Sequence, residues 1–67
     1  MSIAKVIEIK CSSKVGVEDA IRTGLSKAAK SLDHVSGAWV KDIKVLTDNK
    51  GKVTEWRVDL KVTFVLK

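Results

Sequence analysis

From Trp56 to Leu66 apolar and polar positions alternate without interruption. Trp56, Val58, Leu60, Val62, Phe64 and Leu66 fall on one side, and Arg57, Asp59, Lys61, Thr63 and Val65 on the other. A period of two is that of a strand with one buried face. Ile3 to Cys11 is rich in Val and Ile and is bounded by Ser12-Ser13, which predicts another strand. Between them the period changes. Val17, Ile21, Leu25, Ala28 and Leu32 follow one another at helical spacing, with Glu18, Arg22, Ser26 and Lys30 on the opposite face. Gly16 is placed to start that helix, Glu18 and Asp19 suit its positive end, and Lys27 and Lys30 suit its negative end. Val35 to Thr47 predicts a strand that mixes its faces: Ala38, Val40 and Leu46 share a side with Asp42 and Lys44, while Trp39, Ile43 and Val45 share the other with Lys41. Asp48-Asn49-Lys50-Gly51 carries turn chemistry, with Asn49 and Gly51 tolerant of positive φ, and the chain returns through Val53 to the last strand.

The order β-α-β-β restricts the topology. A right-handed crossover makes the first two strands parallel, and the hairpin makes the third antiparallel to the second. The third strand inserts between them, giving an α+β fold with a three-stranded antiparallel sheet, in the order one-three-two, packed around one helix. Residues 1–67 read as a single domain. A domain of this size buries only about 60% of the surface its unfolded chain exposes, so it is marginal by itself. One cysteine, Cys11, and one histidine, His34, offer neither a disulfide nor a metal staple. Association remains, and the mixed faces of the second strand point the same way, towards a homo-oligomer.

Charge changes the picture little. Thirteen basic and eight acidic residues give a net charge of +5, spread over every element. No interleaved aromatic patch accompanies it, so it reads as a solvated surface and no nucleic-acid partner is expected. Repeated over an oligomer, it could attract phosphorylated small molecules such as FMN or coenzyme A. The apolar runs are too short to span a bilayer, so no membrane partner is expected. Met1-Ser2-Ile3-Ala4-Lys5 lacks the apolar core of a signal peptide, and a lone thiol suits a cytoplasmic setting. No nucleophile-base pattern or phosphate loop is visible, and an enzyme is not expected. Asp42, Asp48, Glu55 and Asp59 lack the spacing of a calcium loop, so no metal ligand is assigned. Cys11 reads as a small core residue, and Trp56 continues the core-facing series. Trp39 is balanced between an interface and a ligand role.

Several segments in order resemble the dodecins: Lys5-Val6-Ile7-Glu8-Ile9, Ser12-Ser13, Val17-Glu18-Asp19-Ala20-Ile21, Ala28-Ala29-Lys30-Ser31-Leu32, Val40-Lys41-Asp42-Ile43-Lys44 and Trp56 to Phe64. The resemblance implies a homododecamer, assembled into a hollow oligomer, that stores flavin, FMN or riboflavin, in pairs at subunit interfaces. It places the flavin-stacking tryptophan of typical members at Gly37, their flavin-bonding glutamine at Arg57, and an arginine late in the second strand at Lys44. Trp39, two residues from Gly37, is the substitute platform. With Gly37 and Arg57 in those positions, flavin binding is expected to be weakened. The alternative is a flavin-free protein of the same architecture with a structural, calcium-associated or other ligand-binding role, as in relatives that lack the tryptophan.

Overall fold

The computed structural model describes residues 3–66; Met1, Ser2 and Lys67, the ends of the single-domain reading and the first residues of the expected leaderless start, lie outside the described residues. The chain runs β1 (Ile3–Ser13), α1 (Val17–Ser31), β2 (Val35–Thr47) and β3 (Val53–Leu66). The sheet order is β1-β3-β2 with both pairings antiparallel, the expected arrangement.

Val58, Leu60 and Val62 of β3 are fully buried with Ala20 of α1, and Ile9, Cys11, Val17, Ile21, Leu25, Leu32 and Val35 pack around them. The helix stripe therefore covers the face that the alternation of β3 marks out. Its one fully buried residue, however, is Ala20, which the stripe of larger residues leaves out. A small side chain here brings the helix backbone close to the sheet. Gly24, one turn on, does the same over Cys11, since a Cβ at Gly24 would overlap Sγ and lie 3.1 Å from Cβ of Cys11.

β1 runs two residues beyond the expected end at Cys11, to Ser13, which is buried. Ser13 donates from Oγ to Asp19 Oδ2 at 2.7 Å and accepts from the backbone N–H of Val15 at 2.9 Å and of Gly16 at 3.3 Å. Gly16 is the N-cap residue and has no side chain to offer. Ser13 thus takes over part of the capping work and ties β1 to the first turn of α1. In the hairpin only Gly51 adopts a positive φ, 82°; Asn49 does not, because Asp48 organises the turn by accepting from the N–H of Lys50 and Lys52. His34, at the junction of α1 and β2, has φ 58° and its carbonyl accepts from the N–H of Val65 at 3.1 Å.

The expected faces of β2 need correction. Val40 pairs with Leu60 and Asp42 with Asp59, so Lys41 is an extra residue in a bulge. Cross-strand partners share a face. Ala38, Val40, Ile43 and Val45 consequently lie opposite Val62, Leu60, Val58 and Trp56, on the side of α1. Gly37, Trp39, Asp42 and Lys44 lie opposite Thr63, Lys61, Asp59 and Arg57, on the side away from it. One inserted residue converts a mixed pattern into an apolar inner face and a largely polar outer one.

That correction removes the two-faced strand as a reason for association and supplies a better one. α1 packs on β1 and β3, and on β2 Val40, Ile43 and Val45 stay exposed. The subunit extends 53 × 18 × 13 Å with a radius of gyration of 13.9 Å. A compact domain of this length would have about 11 Å. No helix among the described residues is long and apolar enough to cross a membrane.

Candidate functional site

All four residues singled out in the sequence, Gly37, Trp39, Lys44 and Arg57, fall on the outer face. They form two groups. Lys44 and Arg57 are directly opposed and line a shallow cavity of about 360 Å³ with Lys10, Cys11, Ser12, Asp42 and Asp59. Like charges directly opposite repel, and the neighbouring Asp42 and Asp59 repeat the problem with the other sign. Partners offset both: Arg57 donates from Nε to Glu55 at 2.6 Å, and Lys10 pairs with Asp59 at 3.3 Å. Lys44 has no carboxylate within ion-pair distance among the described residues. This end of the face offers hydrogen-bond donors, with Lys10, Lys44 and Arg57 set against Asp42, Glu55 and Asp59.

Gly37 and Trp39 stand at the other end. Trp39 is 68% exposed, and the Lys61 ammonium lies over its ring, 5.5 Å from the centroid. Nothing lies within 4 Å of where a Cβ on Gly37 would be. Thr63, opposite Gly37, and Lys61, opposite Trp39, locate the ring about 13 Å along β3 from Arg57, four residues at about 3.3 Å each. One subunit therefore separates the aromatic surface from the Lys44–Arg57 pair. A ligand that stacks on the ring and bonds to those donors has to span that separation or draw one of the two groups from a second copy.

Trp56, by contrast, is half-buried on the inner face between Ser13 and Val45. Cys11 is half-buried against α1, and its thiol is pushed above its ordinary pKa, first by loss of solvent and then by the charge of Asp59. Such a thiol is a packing group rather than a nucleophile. Among the described residues, no three His, Cys, Asp or Glu side chains converge as a metal site would require. The sequence reading missed Lys61 and Glu8. The cross-strand register, which neither periodicity nor composition reports, is what assigns them to the site.

The structure is a three-stranded antiparallel sheet cradling one helix, with an exposed aromatic and a basic pair on its outer face. The family model for dodecin matches residues 3–67. The chain belongs to the dodecin family, whose members are small dodecameric flavin-binding proteins, known for flavin storage rather than catalysis. Among solved structures it is similar to a mutant of the Thermus thermophilus dodecin (34% identity, TM-score 0.91, covering 100% of this chain and 98% of that one). It is similar as well to the dodecins of Streptomyces davaonensis (29%, TM-score 0.90, 98% and 96%) and Streptomyces coelicolor (27%, TM-score 0.90, 98% and 93%). No curated protein sequence matches at a significant level.

Proposed function

We propose that the protein is a non-enzymatic, cytoplasmic homododecamer that binds and buffers flavin, FMN or riboflavin, less tightly than a dodecin with an aromatic residue at position 37. Trp39 carries this reading. It is the one strongly exposed aromatic, it shares a face with Gly37, Lys44 and Arg57, and the space beside it at Gly37 is open. Trp39 stacks the isoalloxazine ring, and Lys44 and Arg57 of a neighbouring copy donate to its polar edge or to a phosphate. The donor set fits a flavin in part: an arginine donates but cannot accept, so Arg57 satisfies the ring's carbonyl oxygens and leaves its N–H without an acceptor. The lone thiol supports the cytoplasmic setting. The competing reading, a flavin-free member of the family, is favoured by Gly37, which offers no stacking surface.

The absorbance spectrum of the purified protein, followed by titration with FMN and riboflavin, separates the two. Saturable quenching of flavin fluorescence that weakens in Trp39→Ala supports the flavin reading. Absence of saturation at millimolar protein supports the flavin-free one.

A further inference from the structure

Among the described residues Lys61 is the one on the outer face whose charge lies against the exposed aromatic, and its described surroundings leave that charge uncompensated. Its partner on β1 is Glu8, the carboxylate expected to neutralise it across the strands. Glu8 is engaged elsewhere: its Oε1 accepts from the Lys41 ammonium at 3.2 Å. Lys41 is the bulged residue of β2, and its long side chain crosses β3 to reach β1. Among the described residues Lys61 has no carboxylate within ion-pair distance. Its ammonium rests instead over Trp39. The bulge that sorts the faces of β2 thereby also releases a cation beside the ring.

A planar ligand that stacks on Trp39 meets this ammonium. Lysine carries its charge on a flexible stem, so the ammonium can leave the indole face and follow the edge of the stacked ring. A neutral ring gains a hydrogen bond from it. A ring bearing negative charge gains a Coulombic attraction in addition. We propose that Lys61 is a specificity-determining residue of the Trp39 platform and that the platform favours planar aromatic anions over neutral rings of the same shape. This rests on the reading of Trp39 as a stacking surface.

The test uses the assembled full-length protein and two probes that share a ring and lack a phosphate, riboflavin and 8-carboxyriboflavin, in fluorescence-quenching titrations at pH 7.5. An opposite charge at about 5 Å in a partly aqueous site is worth roughly fivefold in affinity, so the carboxylated ring is expected to bind about fivefold more tightly. Lys61→Gln should abolish that ratio, Lys61→Arg should keep it, and added salt should shrink it. Equal binding of the two probes by the natural protein, or an unchanged ratio in Lys61→Gln, overturns the role of Lys61 while leaving the flavin reading intact. If Trp39→Ala leaves both affinities unchanged, the platform itself is wrong and the inference falls with it.

Discussion

Cys11 occupies the space that a side chain on Gly24 would need. The contact fixes how closely α1 approaches β1. Alanine at position 24 would gain about 1 kcal/mol of helix propensity, but overpacking a close contact of this kind costs about 1–3 kcal/mol. Gly24→Ala is therefore expected to lower the denaturation midpoint, and Cys11→Ala to make the same substitution neutral or stabilising. Urea unfolding of the two single variants and the double variant gives the coupling. Additive effects would show that the helix has room to move.

Leu60 is fully buried at the centre of the sheet between Ile9 and Val40. Leu60→Ala should destabilise the protein by about 2–5 kcal/mol, the range for emptying a core leucine site. Leu60→Asp should prevent folding, because its charge would be buried without a partner. Circular dichroism distinguishes the two, and a folded Leu60→Asp variant would mean that the buried face is misassigned.

Ile43 is 51% exposed on the inner face, beyond the reach of the helix, with Val40 and Val45 beside it. Ile43→Asp should therefore dissociate the assembly, read as a fall in mass by light scattering. Retention of the full mass would move the interface elsewhere.

Burial and the charge of Asp59 raise the pKa of Cys11 from 9.0. The stability contributed by the neutral thiol is then fully present below the ordinary pKa and is lost as the pH rises through the raised one. Stability should drop in alkaline solution, by less in Cys11→Ala. Iodoacetamide should modify Cys11 at pH 8 more slowly than it modifies a cysteine in an unfolded peptide.

The four elements, their order and the buried face of β3 are legible in the sequence because long periodic runs report which side meets the core. The faces of β2 are not. A bulge at Lys41 adds one residue and reverses the parity of everything after it, so Ile43 and Val45 are read onto the side of Trp39 when they belong with Val40. Ala20 and Gly24 escape for a related reason: a search for large apolar residues passes over the small ones that set the helix-to-sheet distance. Gly37, Trp39, Lys44 and Arg57 do share a face, yet nothing in their spacing reveals the roughly 13 Å between the two groups or the cation over Trp39. These depend on register, which is fixed between strands.

Deleting Lys41 tests the bulge itself. Without it, Val40, Asp42, Ile43, Lys44 and Val45 alternate regularly opposite Leu60, Asp59, Val58, Arg57 and Trp56, and each keeps its face. The deletion is therefore expected to cost little more than Lys41→Ala, since both lose the exposed Lys41–Glu8 ion pair, worth at most about 1 kcal/mol. Thermal unfolding of the two variants gives the comparison, and a far larger loss on deletion, as a strand without the bulge would show when its faces invert, would contradict the assigned register.

The flavin platform is tested most directly by titrating FMN into the natural protein, Trp39→Ala and Gly37→Trp while following flavin fluorescence. Loss of a stacked aromatic is worth about 1–3 kcal/mol. Trp39→Ala should therefore raise the dissociation constant by roughly fivefold to a hundredfold, and Gly37→Trp, which enters open space, should lower it below that of the natural protein. Tight binding by the natural protein that Trp39→Ala leaves unchanged would contradict both the weakened site at Gly37 and the role of Trp39.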